Sequence, residues 1–216
     1  LTLKAAFQTS TTNEMKSEKK SDAISAEAFW RWFTTIADRI AASPEDRSLI
    51  NNLDEHVSLA WPQLSWEIGP DPSGDWYLAL SPNLNREFLA IAEDAIRFAP
   101  PIHGWKFYPA RPRKIWDGRF EMEVQNGVRH LDPSDWKYVL LRYPDGEQEL
   151  VLVAPEAQAL TSDERWKAAA VVLEGILGED CLLHHVGSFA LEPTLDARLA
   201  TQSKPLHLLP QTFGLT

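Results

Sequence analysis

His184 and His185 are the only adjacent pair among the six histidines of this 216-residue chain, and metal binding is the first chemistry to test against them. They fall within Cys181 to Leu191, a stretch expected to hold the last strand. Strand neighbours point to opposite faces, so the two rings cannot readily close on one ion. His103 precedes Gly104-Trp105, and His130 stands just ahead of Asp132. These three could assemble into a general acid–base site of the kind a hydrolase needs, but no spacing rule joins them. HExxH, CxxC and the carboxylate ladder of an EF-hand are all missing, so neither a metal nor a cofactor is expected.

Nucleophile motifs are missing as well. There is no GxSxG elbow, and Ser188 follows Gly187 inside the same expected strand. Cys181 follows Glu179-Asp180, and an acidic setting raises a thiol pKa instead of activating the sulfur. The ten glycines are dispersed through turns, whereas a phosphate loop needs them clustered ahead of a helix. Glu67, Asp71 and Asp75 surround one hairpin, and Glu121 and Glu123 share one strand face. They read as solvated edges that discourage unwanted pairing. No catalytic residue is assigned.

Surfaces are the remaining place for function. Trp30 and Trp32 lie two apart on a helix and point about 200° from one another, so both cannot face one core. Trp32 is therefore expected at a rim, against another element or a partner. The loop from Pro109 to Asp117 mixes Arg111, Arg113 and Lys114 with Trp116, a combination typical of interface anchors. Trp32, Arg111, Arg113, Lys114 and Trp116 are the candidate partner-binding residues.

The net charge of −10 and the isoelectric point near 5.1 disfavour nucleic acid and anionic membrane as partners. One cysteine cannot form an intramolecular disulfide, which fits a reducing cytoplasm. No apolar run reaches the roughly 20 residues that span a bilayer, and residues 1–23 lack the apolar centre of a signal peptide. Those residues read as a mobile tail.

The elements that must position these groups can be traced in order. Ser25 caps a helix carrying Phe29, Trp30, Phe33, Ile36, Ala37 and Ile40 on one face. Ser43-Pro44-Glu45-Asp46 reads as the cap, first-turn proline and acidic start of a second helix, which closes a helical hairpin over 24–60. Strands then alternate around Leu64-Trp66-Ile68 and Trp76-Leu78-Leu80, Pro82 turns the chain into a helix, and Trp105-Phe107 returns as a strand. Residues 64–109 thus form one strand-strand-helix-strand unit. After a connection over 110–136, with a tight turn at Asn126-Gly127, residues 137–193 repeat the plan. The second helix, Ser162 to Leu177, is expected to turn Trp166, Ala169, Ala170, Leu173 and Ile176 inward and to end at Gly178. Residues 195–216 read as a C-terminal tail packed loosely over a single domain, 24–194. The predicted fold is α+β: a helical hairpin, then two similar units forming mainly antiparallel sheet with helices on one face.

Phe29-Trp30-x-Trp32-Phe33, Trp66-Glu67-Ile68-Gly69-Pro70, Leu80-Ser81-Pro82 and Gly104-Trp105 resemble a family of bacterial proteins with no established activity. Leu177-Gly178-Glu179 and Leu191-Glu192-Pro193 fit the same family. The resemblance spans roughly residues 27–194 and implies a cytoplasmic α+β domain, with no site residue to carry over. The expected function is non-catalytic protein binding, one version being an immunity protein whose acidity complements a basic toxin. The alternatives are a hydrolase built on His103 or His130, and a regulatory module holding a small ligand in an apolar pocket.

Overall fold

The protein is described here from a computed structural model, which covers residues 24–71, 73–125 and 127–215. The expected tail, 1–23, lies outside the described residues, as does the Asn126 half of the expected Asn126-Gly127 turn.

Helix α1, Ala26–Ala42, begins where Ser25 Oγ accepts the Ala28 N–H at 3.2 Å and buries the six apolar residues expected of it. Helix α2, Arg47–Ala60, starts later than the sequence suggests. Asp46 is its cap, accepting from the Ser48 and Leu49 amides, while Ser43 closes α1 with its own N–H. An aspartate that reaches two amides outcompetes a serine whose N–H already serves the preceding helix.

The first sheet has the order β1 (Ser65–Pro70), β2 (Trp76–Ser81), β3 (Trp105–Tyr108). β1 and β2 are antiparallel; β3 returns parallel to β2 through α3, Arg86–Arg97. Strand alternation sends Leu78, Leu80 and Trp105 towards α1, α2 and α3, where they join an aromatic core of Phe29, Trp30, Phe33 and Trp61. The Trp30 indole N–H donates to the Ala95 carbonyl at 2.8 Å and fastens α1 to α3. The other face of the sheet carries Ser65, Glu67, Tyr77 and Ser81.

A two-stranded ribbon, β4 (Phe120–Val124) with β5 (Gly127–Leu131), follows. The second unit repeats the plan of the first. β6 (Lys137–Arg142) pairs antiparallel with β7 (Gln148–Val153), and β8 (Ser188–Glu192) returns parallel to β7. Its crossover is α4, Ser162–Leu177, opened by a reciprocal capping box between Thr161 and Glu164. From Ala168 onward helix α4 is buried on nearly all sides, not along one stripe, because that part lies between its own sheet and a segment arriving from the first unit. Trp166, expected inside, is half-exposed and stacks on Phe189 instead.

Two further expectations are corrected. The last strand, β8, fills only the end of Cys181 to Leu191, and His184 and His185 are not strand neighbours: α5, Glu179–His185, occupies the first part. The Arg86 guanidinium donates to the Leu183 and Val186 carbonyls at 2.7 and 3.0 Å, satisfying acceptors that the end of a helix leaves open. The C-terminal segment is not loose. It forms α6 (Ala197–Ala200), a short β9 (Lys204–Pro205) paired to β6, and α7 (Leu209–Thr212), with Leu206 and Leu209 buried in the second core.

Candidate functional site

The segment between β3 and β4 runs across the polar face of the first sheet and lies against α4. This strap, residues 109–117, brings together the largest set of perturbed and buried polar groups among the described residues. Arg111 donates from Nη1 to Glu174 Oε2 at 3.2 Å and from Nη2 to Ser65 Oγ at 2.7 Å and Asn83 Oδ1 at 3.1 Å. Lys114 Nζ reaches Glu67 Oε2 at 2.8 Å, and the Tyr77 hydroxyl donates to Glu67 Oε1 at 2.5 Å. The Lys114 N–H donates to the Gly175 carbonyl at 2.9 Å. One strap therefore grips β1, the turn after β2 and α4 simultaneously.

Glu179 is fully buried at the start of α5 and holds the other end of this seam. Its Oε1 accepts from Ser81 Oγ at 2.9 Å and the Leu84 N–H at 2.7 Å, while Oε2 accepts the Arg111 N–H at 2.9 Å. Its own N–H donates to the Arg111 carbonyl at 2.9 Å. Asn83 and Leu84 both take positive φ, 56° and 59°, a conformation costly for a leucine. The Glu179 carboxylate and Ser81 Oγ, which accepts the Asn83 N–H at 3.0 Å, hold the turn in that shape.

Burial drives the electrostatics of the seam. It pushes the Glu174 carboxyl up to about 7, an effect that Arg111 opposes and that Glu179 and Glu67 reinforce. Burial also raises the Tyr77 hydroxyl well above its usual value, with Glu67 adding to the shift. The Cys181 thiol is raised by burial first and by Asp180 second.

Trp116 folds back over α4 at Gly175. A Cβ at that glycine would lie 2.4 Å from Trp116 Cζ2, so only glycine admits the ring there. The Trp116 indole N–H is buried and has no hydrogen-bond partner among the described residues. In a Trp116→Ala background, Gly175→Ala is expected to stabilise the protein by up to about 1 kcal/mol through helix propensity. In the wild-type background the same change is expected to cost about 1–3 kcal/mol by overpacking. Urea unfolding of the four proteins checks this reversal of sign.

Of the five candidate partner residues, Arg111, Lys114 and Trp116 make these internal contacts. Arg113 is exposed. Trp32 is half-exposed on α1 and lies face to face on His56 of α2, with ring centroids 3.6 Å apart and planes 4° from parallel. Between Lys114 and Trp116, Ile115 is 84% exposed. No sequence pattern marks Ile115 or Glu174, and Glu179 stands out only as an acidic neighbour of Cys181 and within Leu177-Gly178-Glu179. A glycine inside a long helix was the one available sign of a close approach.

The histidines are scattered. His130 Nδ1 lies 3.4 Å from Glu121 Oε1 on the exposed ribbon. Asp132 accepts from the Ser134 N–H and from Arg119 Nε, which together hold its carboxyl down at about 2. His103 is exposed in the loop before β3. No hydrogen bond or ion pair joins these three among the described residues. His184 and His185 sit in the last turn of α5, where His184 faces Asp180 and His185 lies near the Phe213 ring. Asp71 and Asp75 clasp Lys106 at the β1–β2 turn, so they are not merely solvated. No group of three or more metal-ligating side chains occurs among the described residues. No described helix is long and apolar enough to cross a membrane.

No family model, curated protein or solved structure matches the chain.

Proposed function

We propose that this chain is a non-catalytic protein-binding domain of the cytoplasm, and that Ile115 is the centre of its partner face. The observation that carries the reading is the exposure of Ile115 on a strap whose flanks are fastened. Lys114 is held by Glu67 and by the Gly175 carbonyl, and Trp116 by the surface of α4. An apolar side chain presented on backbone that is already ordered loses little entropy on binding. Arg113 on the same strap and Trp32 on the helical hairpin are the accompanying contacts. The net charge of −10 selects a basic partner and speeds its encounter, which suits an immunity-type protein.

Affinity capture from the native host with wild type and Ile115→Asp tests this reading. The change is at an exposed position and should leave stability within about 0.5 kcal/mol. A basic protein recovered by wild type should bind the variant roughly 30-fold less tightly, as for an interface hot spot. Failure to recover a reproducible partner, or equal binding by both proteins, overturns the proposal.

One observation favours a second reading. A carboxyl held near neutrality is suited to general acid–base work, and Glu174 lies behind Arg111, which lines an open cleft of about 400 Å³ with Tyr108, Leu177 and Gly178. Hydrolysis of ester or phosphoester substrates that Glu174→Gln abolishes would establish an enzyme of this kind.

A further inference from the structure

We propose that the strap is a proton-held latch between the two units, closed while the seam carries one bound proton and loosened when that proton leaves. The charges facing Glu174 supply the argument. Arg111 and Lys114 come from the strap, Glu67 from β1 and Glu179 from α5, with the Tyr77 hydroxyl donating to Glu67. Three carboxylates thus share a largely dry seam with two cations, leaving one negative charge in excess when all are ionised.

The hydrogen bonds single out Glu174 as the carboxylate with the fewest donors. Glu179 accepts from three donors, and Glu67 from a hydroxyl and an ammonium. Among the described residues, Glu174 accepts only from Arg111 Nη1, at 3.2 and 3.5 Å. It is the least compensated of the three, and its carboxyl is the one raised to about 7. When Glu174 is neutral, Arg111 keeps Ser65 and Asn83 as acceptors and the seam is balanced. When it ionises, the cheapest relief is entry of water, which requires the strap to lift from α4. The residue next to Glu174, Gly175, is where Lys114 and Trp116 rest.

The direction with pH follows by linkage. A carboxyl raised from 4.5 to about 7 keeps its proton in the closed seam where an open one has lost it. Closure is therefore favoured most at low pH, weakens as pH rises from about 4.5 to about 7, and levels off above that. Ile115 rides on the strap, so the latch would also set how firmly the partner face is presented; that consequence alone rests on the binding reading.

Hydrogen exchange of the full chain, corrected for intrinsic rates, tests the latch directly. Between about pH 6 and about pH 8, protection of residues 110–117 should fall about tenfold relative to β6 and β7. In Glu174→Gln, and in the volume-matched Glu174→Met should the first not fold, that fall should vanish. Unchanged protection of the wild-type strap overturns the proposal, and so does an equal fall in either variant. Neither outcome depends on finding a partner, so failure of the latch and failure of the binding reading are separable.

Discussion

Replacing Glu179 by alanine is expected to lower the free energy of unfolding by about 3–5 kcal/mol, among the largest single-site losses in the molecule. Three donors converge on that carboxylate: the Ser81 hydroxyl and the Leu84 and Arg111 amides. Ser81 is itself fully buried, so its hydroxyl has no water to turn to. The loss also removes what compensates the left-handed backbone at Asn83 and Leu84. Glu179→Gln should cost less, since one amide oxygen still accepts, yet its NH₂ then faces a donor. Urea unfolding monitored by tryptophan fluorescence gives the ranking wild type, glutamine, alanine. Equal stability of alanine and wild type would show that the seam contributes little to holding the units together.

Leu209→Ala is expected to cost about 2–5 kcal/mol, the usual range for emptying a buried leucine site. Leu209 is fully buried in the second core. The segment around it is also tied by hydrogen bonds: the Leu206 N–H donates to the Trp136 carbonyl at 2.9 Å, and Thr212 Oγ1 meets the Tyr138 hydroxyl at 2.6 Å. A loosely attached tail would instead show a change within about 0.5 kcal/mol. The urea midpoint of the variant separates the two, and deletion of residues 204–215 should be more damaging still.

The parts of this fold that could be read from sequence are those where one element buries one face. Phe29, Trp30, Phe33, Ile36, Ala37 and Ile40 mark α1 because a single stripe meets a single core. The two strand-helix-strand units were legible for the same reason, since Trp76, Leu78 and Leu80 alternate and Pro82 ends the strand. Trp166 fits the helical stripe of α4 but precedes Ala168, where the buried part of that helix begins, so it stacks on Phe189 at the surface. Helix α5, Glu179–His185, is only about two turns long, too short for a helical period to stand apart from a strand's alternation. The seam lay beyond periodic reading altogether. Its contacts join residues as far apart as Ser81 and Glu179, and its members are polar, so neither spacing nor hydropathy connects them. Arg111, Lys114 and Trp116 stand out as a cluster, but nothing in the sequence distinguishes a clasp turned inward from a surface turned out.

The polarity of that seam bears on how the chain is made. Ser81 and Leu84 leave the ribosome long before Glu179, which follows Ser81 by 98 positions. At typical elongation rates this is a wait of roughly 5–20 s. The first unit has its own aromatic core and can collapse during that interval, with the uncovered face of its sheet still open to water. An apolar face left waiting would invite association with neighbouring nascent chains. Ser65, Glu67, Tyr77 and Ser81 instead present groups that water satisfies until the second unit arrives. A polar joint between halves that mature at different times is a form of protection during synthesis, before it is a bond in the finished protein.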